Sequence, residues 1–391
     1  MRIAQICTNA MSGSVGKIAR NLSEALIAKG HECIVCYARG KEYSSDNSFR
    51  FGSKQSIYWH VLNARLFDSD GLHSKGATRY LIKHLEKYNP DIIHIHCLHG
   101  YYINYQILFN YLKDSKKKVV WTMHDCWAYT GHCAFYDFEG CNKWEIKCDH
   151  CPQKGSYPKS ILMDCSRRNY AAKKDAFTLL GVDDMKIVTP SVWLKKEIGR
   201  SFLSKYLITV INNDVDLKVF YLDKETAIKK RILGVANIWD RRKGLNDFIE
   251  LSKVIPDEYK ILIVGASEEQ IKTLAEYGID AIGRTSNIEE LANLYRTSTI
   301  LFNPTYEDNY PTVNVEAISC GLPVVTYKTG GSPEIVEKTG MGRIVEKKDY
   351  TTVVGYLDVA YTRKFDIKPA IENQMVAQYI SLYEKLIGRH N

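Results

Sequence analysis

Long hydrophobic runs are missing from this chain. Spanning a bilayer takes roughly 20 consecutive apolar residues, and no stretch approaches that length. Residues 1–15 also lack the apolar core of a secretory signal. These absences give the expectation of a protein that starts at Met1 and works in the cytoplasm. A dominant charge is missing too. Lys and Arg number 53 against 45 Asp and Glu, a net charge of +8 spread along the sequence. So mild and diffuse an excess suits an anionic ligand or an acidic membrane surface and does not argue for nucleic acid. Two phosphate-binding signatures fail as well. "SGSVGK" has the wrong glycine spacing for a P-loop, and Ile18, not Ser or Thr, follows Lys17. It also lacks the dinucleotide-binding spacing.

What is present is a soluble globular composition, 45% apolar and 25% charged, over 391 residues. That length favours two domains. "RIAQIC", a glycine-bearing loop, the helical "KIARNLSEALIAKG" and "CIVCYA" form a strand-loop-helix-strand unit. "DIIHIHC", "KVVWTMH" and "KIVTP" continue the series. A second series reads from "ITVINN" through "RILGVAN", "YKILIVG", "IDAIG", "TILFNP" and "PVVTY", with helices between. Alternation of this kind predicts parallel sheets, and two series predict an α/β protein of two doubly wound, Rossmann-like domains. The expected boundaries are 1–205, 206–368 and a closing helix at 369–391 that could return to the first domain. A Cys-rich insertion is expected at about 126–165. Ligands of such domains bind outside the carboxyl ends of the strands, so the cleft between domains is the expected site.

Three motifs fall at strand-to-helix junctions. In "SGSVGK", Gly13 and Gly16 permit close backbone approach and the helix start attracts an anion, although a tight turn explains them equally. In "ANIWDRRKGL", Arg241, Arg242 and Lys243 precede a helix whose dipole they oppose, which a bound diphosphate would relieve. In "YEDNYPTVNVE", Glu307, Asp308 and Asn309 form the loop before a helix opening near Pro311 or Thr312, and Glu316 sits one turn inside. A carboxylate there can accept two hydrogen bonds from vicinal hydroxyls. The bland alternative is that Asp308 and Asn309 cap the helix and Glu316 lies on the surface.

Together "SGSVGK", "MHD", "RRKG", "YEDNYPTVNVEAISCGLPVV" and "TGGSPEIV" resemble the retaining glycosyltransferases of family 4. The likeness runs from Met1 to about Val336. It is closest to enzymes that build capsular, exopolysaccharide or colanic-acid repeat units. The resemblance implies the GT-B architecture and a UDP- or GDP-linked sugar donor held in the second domain. It implies Glu316 on the ribose, Glu307 near the donor sugar as a catalytic group, and His124 facing the transferred sugar. Lys243, with Arg241 or Arg242, would hold the diphosphate, assisted by the backbone of Pro311, Thr312 and Val313 and by Asn309. The Gly13–Gly16 loop would approach the donor, and the base would lie near Gly283 and Arg284. Two departures stand out. Eight residues separate Glu307 from Glu316 where the family has seven, and Asp308 restores the count. Ala236 and Asn237 occupy the place of the family's first arginine, which makes Asn237 a donor-side candidate.

A same-face transfer, in which the leaving diphosphate takes the acceptor's proton, needs cations and helix N-termini, and the sequence supplies both. No Asp-x-Asp motif sits in a suitable site, so no catalytic metal is expected. Acceptors in this setting are glycans or lipid-linked oligosaccharides, which raises the expectation of contact with the inner membrane face. The cysteines are a separate matter. Cys133, Cys141, Cys148 and Cys151 suit a closed structural zinc site, with Cys126, Cys165 and His150 as alternates and reduced, buried thiols as the other reading. Cys7, Cys33, Cys36, Cys97 and Cys320 read as core. His94, His96 and His99 read as strand-end or core histidines. A nucleotide-sugar epimerase of the same fold and a zinc-dependent nucleic-acid-binding protein are the rival readings.

Overall fold

The structure is a computed structural model that describes all residues except 11–12, 44, 224, 363–373 and 389–391. The first residue of "SGSVGK" and the expected break at 368/369 therefore lie outside the described residues. The chain forms two compact units. One comprises residues 1–212 with 374–391, and the other residues 213–373.

In the first unit the order is β1 (Arg2–Asn9), α1 (Gly13–Ala28), β2 (Glu32–Arg39), β3 (Ser48–Arg50), α2 (Lys54–Phe67), α3 (Lys75–Tyr88), β4 (Ile92–Ile95), α4 (Tyr105–Ser115), β5 (Lys118–Thr122), α5 (Ser166–Phe177), β6 (Met185–Thr189), α6 (Val192–Gly199) and β7 (Ile208–Val210). The second continues with β8 (Arg231–Val235), α7 (Leu245–Ser252), β9 (Lys260–Val264), α8 (Glu268–Ala275), β10 (Asp280–Ile282), α9 (Ile288–Arg296), β11 (Ile300–Asn303), α10 (Thr312–Ser319), β12 (Val324–Tyr327), α11 (Glu334–Thr339), β13 (Gly342–Val345) and α12 (Tyr350–Thr362). The chain then returns to the first unit as α13 (Met375–Leu386).

Both sheets are parallel. Their strand orders are β3-β2-β1-β4-β5-β6-β7 and β10-β9-β8-β11-β12-β13. The central strands are buried on both faces, which is why they read as continuous apolar runs. In β4, Ile93 and Ile95 enter one core cluster while Ile92 enters the cluster on the other face. Sheet order reverses between β1 and β4 and between β8 and β11, so each unit has a topological switch point, the place where such sheets bind ligands.

Two sequence expectations change. "ITV" opens no second series. Ile187 to Thr189 of β6 pair with Ile208 to Val210, so β7 is the last strand of the first sheet. The helix of the "SGSVGK" segment begins at Gly13, and Gly16 lies within its first turn. A Cβ at Gly16 would stand 2.3 Å from the Asn9 carbonyl oxygen, so glycine is what lets α1 press against β1.

The helix α13 completes the core behind β1 and β5. Met375, Tyr379, Tyr383 and Leu386 are buried with Ile3, Leu22 and Val120. Two hydroxyls fix its register: Tyr383 Oη lies 2.7 Å from His94 Nδ1, and Tyr379 Oη 2.8 Å from Thr122 Oγ1. We expect Tyr379→Ala to destabilise the protein by about 3–5 kcal/mol, the usual cost of emptying a buried aromatic site, and Tyr383→Phe by about 1–2 kcal/mol through the orphaned His94 nitrogen. Urea unfolding curves check both; equal, negligible effects would mean the helix is not part of the folded core.

Candidate functional site

In the second unit the loops after β8 and β11 meet at the switch point. Asp240 starts a 3-10 turn at Arg241–Lys243 by accepting the Arg242 and Lys243 N–H groups at 3.0 and 3.2 Å. The turn closes at Gly244, φ +72°, where a Cβ would fall 2.3 Å from the Pro304 carbonyl oxygen. The turn is thereby pressed onto the β11 loop, and Tyr306 N–H donates to the Arg242 carbonyl at 2.8 Å. Arg242 Nη1 donates to the Glu307 carbonyl at 2.6 Å. Lys243 Nζ forms a short ion pair with Asp308 Oδ2.

Burial penalises the charge of Asp308, but Lys243 and then Arg242 outweigh it and hold the carboxyl below the ordinary aspartate range. Asp308 accepts the Asn309 N–H at 2.8 Å, and its carbonyl accepts Gly331 N–H at 2.9 Å. Gly330, φ +53°, has no room for a side chain, since a Cβ would lie 2.2 Å from that carbonyl oxygen. The capping expectation for Asp308 is therefore corrected. The N-cap of α10 is Pro311, with no side-chain cap, because the Asp308 carboxylate is committed to Lys243. Thr312 and Val313 open the helix. Glu307 is fully buried, and Glu316 is half-buried with Tyr295 Oη donating to Oε2 at 2.8 Å. Asn237 and Arg284 join each other, Nη2 to Oδ1 at 3.1 Å, beside Gly283 at the end of β10. Arg241 is exposed on the outer side of its turn.

Several supporting residues escaped the sequence reading. Asp247 is buried, and Tyr306, Tyr327 and Tyr350 all direct their hydroxyls at its Oδ1, at 3.1, 2.5 and 2.9 Å. Below α10, buried Asn314 accepts from Asn303 Nδ2 at 2.8 Å and donates to Ser332, whose hydroxyl meets Thr326 Oγ1 at 2.6 Å. The glycine-rich turn after β12 is thus tied to the loop after β11. A buried Asp in an amphipathic helix was the one available signal.

In the first unit, the loop after β1 carries Gly13, φ +76° with open space where a side chain would go. The loops after β4 and β5 carry the histidines. His124 Nε2 lies 3.2 Å from His96 Nδ1, and His96 Nε2 2.9 Å from Gln5 Oε1. Burial pushes His124 down to about 4, so it is neutral at physiological pH. His99 bridges Asp125 at 2.5 Å and Tyr157 Oη at 2.8 Å. Burial opposes its charge, yet Asp125 raises it well above the ordinary histidine range. Cys133, Cys141, Cys148 and Cys151 line one small cavity in the segment between β5 and α5. Cys126 and Cys165 are buried and do not line it, and His150 is exposed.

Comparison with known proteins matches both units. The profile "Glycosyltransferase Family 4" fits residues 15–219, and "Glycosyl transferases group 1" fits residues 222–370. The Escherichia coli protein named for colanic acid biosynthesis, glycosyl transferase WcaC, is 24% identical over 99% of this chain and 100% of its own. The capsular polysaccharide biosynthesis glycosyltransferase CapM of Staphylococcus aureus is 23% identical over 52% of this chain and 61% of its own. Among solved structures, sucrose-phosphate synthase of Thermosynechococcus elongatus superposes with TM-score 0.70 over all of both chains at 15% identity. WaaG, a glycosyltransferase of lipopolysaccharide biosynthesis, superposes with TM-score 0.58 over 99% of this chain and 94% of its own at 14% identity. Anabaena Alr3699/HepE in complex with UDP gives TM-score 0.58 over 99% and 96% at 13% identity.

Asp247→Ala should cost about 3 kcal/mol, because three hydroxyls lose one charged acceptor. Urea unfolding measures it, and Asp247→Asn, which keeps an acceptor oxygen, should cost less. A loss no larger than that of a single Tyr→Phe change would show that the three bonds do not act together.

Proposed function

This chain belongs to glycosyltransferase family 4, and from that premise we propose that it moves a sugar, with retention of anomeric configuration, from a UDP- or GDP-linked donor to a glycan or lipid-linked acceptor in cell-surface polysaccharide biosynthesis. The observation that carries the reading is the junction of Arg242, Lys243 and Asp308 with the side-chain-free N-terminus of α10 at the β8/β11 switch point. Two fixed cations beside uncapped helix N–H groups form a receptor for a diphosphate. In this reading Lys243, with Arg242, takes the diphosphate, and the N–H groups of Thr312 and Val313 add to it. Asn309 and Arg241 border the same loops. Glu316, already oriented by Tyr295, accepts the ribose hydroxyls. The base sits by Gly283, with Arg284 and Asn237 fixing one another beside it.

Asp308 restores the family spacing to Glu316 and lies three residues before Pro311. It is the group that aligns Lys243. Glu307 is the second carboxylate near the donor sugar. Neutral His124 offers the first unit's hydrogen bond to a sugar hydroxyl, and the Gly13–Gly16 loop its backbone. The step breaks the anomeric C–O bond to the diphosphate as the acceptor oxygen attacks the same face. The leaving oxygen takes the acceptor's proton, and the cations steady its charge. No catalytic divalent ion is invoked.

For a lipid-linked acceptor, the first unit offers one surface. Ile161, Leu162 and Met163 are exposed, and their segment is bonded to the end of α2 through Ile161 N–H to Arg65 O at 2.6 Å, beside exposed Phe67. Apolar tips bordered by Arg65 and Arg168 fit an anionic bilayer face.

Thermal shifts with a panel of UDP- and GDP-sugars should follow one nucleotide. Lys243→Ala should weaken the preferred donor about 10- to 100-fold, the worth of one charged hydrogen bond, and Glu316→Ala should abolish the preference for ribose-bearing ligands. NMR of the product should give the donor's anomeric configuration. Inverted product, or epimerised sugar nucleotide without transfer, would overturn the proposal. Ile161→Asp with Leu162→Asp should remove cosedimentation with anionic vesicles; wild-type protein that stays in the supernatant would refute the membrane contact.

A further inference from the structure

The segment between β5 and α5 poses a charge problem that the sugar-transfer reading does not absorb. Lys173, on α5, is only 2% exposed. Its ammonium donates to two backbone carbonyls, Trp127 O at 2.7 Å and Thr130 O at 3.0 Å, and sits 3.5 Å from the centre of the Trp127 ring. Among the described residues no carboxylate lies within 4.0 Å of it. His132, also 2% exposed, binds Asp68 Oδ1 through Nδ1 at 2.5 Å, yet its Nε2 is buried and without a partner. A buried cation and a buried orphan ring nitrogen are each costly unless something of opposite charge stands nearby.

Asp70 and Asp68 act on Lys173 from beyond ion-pair distance, and sulfur stands nearby as well. Cys133, Cys141, Cys148 and Cys151 line one cavity together with His132 and the buried Trp144. Gly131 N–H donates to Cys148 Sγ at 3.1 Å. No other residue fits at Gly131, because a Cβ would lie 2.2 Å from Ser166 O and 2.6 Å from Cys148 Cβ. The backbone is therefore held with an N–H aimed at a sulfur.

We propose that Cys133, Cys141, Cys148 and Cys151 together bind one tetrahedral, thiophilic divalent ion of the zinc class as a closed structural centre. Four thiols exchange four protons for one M²⁺, leaving a centre of net charge −2. Lys173 and the His132–Asp68 pair are the outer groups that meet this charge. The sulfurs must draw together to close the site, since among the described residues only Cys97, His99 and Asp125 place three donor atoms within 4.8 Å of one another. That trio is no rival, because both ring nitrogens of His99 are already bonded to Asp125 and Tyr157. The centre would pin the segment that carries Tyr157 to His99, and it is independent of which sugar is moved.

Protein expressed in zinc-supplemented medium and purified under reducing conditions should contain one metal equivalent per chain by elemental mass spectrometry. Cobalt-exchanged protein should show the thiolate-to-metal charge-transfer bands and visible spectrum of a four-sulfur tetrahedral ion. Cys148→Ser should lose the metal, and Cys320→Ala should keep it. His132→Gln should keep the four-sulfur spectrum while binding about tenfold more weakly. Should Cys148→Ser fail to fold, mercurial titration of the wild type decides: one zinc released per four thiols modified supports the site. Metal-free protein, a Cys133–Cys151 disulfide by peptide mapping, or a cobalt spectrum with nitrogen ligation would overturn the four-thiolate assignment.

Discussion

The ion pair of Lys243 with Asp308 is the constraint on which the second unit's site depends. The two residues are 65 positions apart in the chain and reach each other only because β8 and β11 are adjacent at the point where strand order reverses. The contact requires a backbone fit on both sides, without a side chain at Gly244 above Pro304 or at Gly330 above Asp308. A carboxylate so enclosed keeps its charge because the lysine is there, and the lysine keeps its position because the carboxylate is. On the proposed reading, a ligand phosphate arriving at Lys243 would meet a cation already oriented and already partly desolvated, so less ordering would remain to be done on binding. Behind the pair, Asp247 gathers three tyrosines from three later segments and holds the loop from the other side.

The first unit solves a different problem, the burial of polar rings in a parallel sheet. His94 and His96 sit side by side, ring centroids 4.2 Å apart, on fully buried β4 and its extension. Burial strongly disfavours their charged forms. Their nitrogens are satisfied by Thr122, Tyr383, Gln5 and His124. His124 is thereby the exit of a neutral, hydrogen-bonded row, whereas His99, just after His96 in the chain, is kept charged by Asp125. Two histidines in neighbouring loops hold opposite protonation states because one faces rings and the other a carboxylate.

Local pattern made much of this legible. Apolar strands, the glycine junction at Gly13 and Gly16, and the carboxylate loop before α10 all stand out as contiguous segments, and both sheets and the family follow from them. The parts that did not stand out depend on partners remote in sequence. "ITV" has the same appearance whichever sheet it joins, and only its pairing with β6 decides. Asp308 four residues before a helix resembles a cap until Lys243 is placed beside it. Asp247, Asn314 and Lys173 have partners 11 to 103 residues away. The helices α2 and α3 do not stand out because neither has a broad buried apolar face: α2 buries only His60 and Ala64, α3 only Thr78, Leu81 and Leu85, and the α3 N-cap Ser74 makes no capping bond.

The return of α13 to the first unit bears on the order in which the protein is made. The second unit is one continuous stretch, residues 213–373, whereas the first is assembled from both ends of the chain. During synthesis the second unit is complete in sequence while the first still lacks Tyr379 and Tyr383. Until the residues of α13 leave the ribosome, His94 and Thr122 have no hydroxyls to meet, and the apolar surface of Ile3, Leu22 and Val120 is uncovered. Domains that fold as units during translation normally do so from the N-terminus. Here that order is inverted, and the half of the protein that starts first is the half that finishes last.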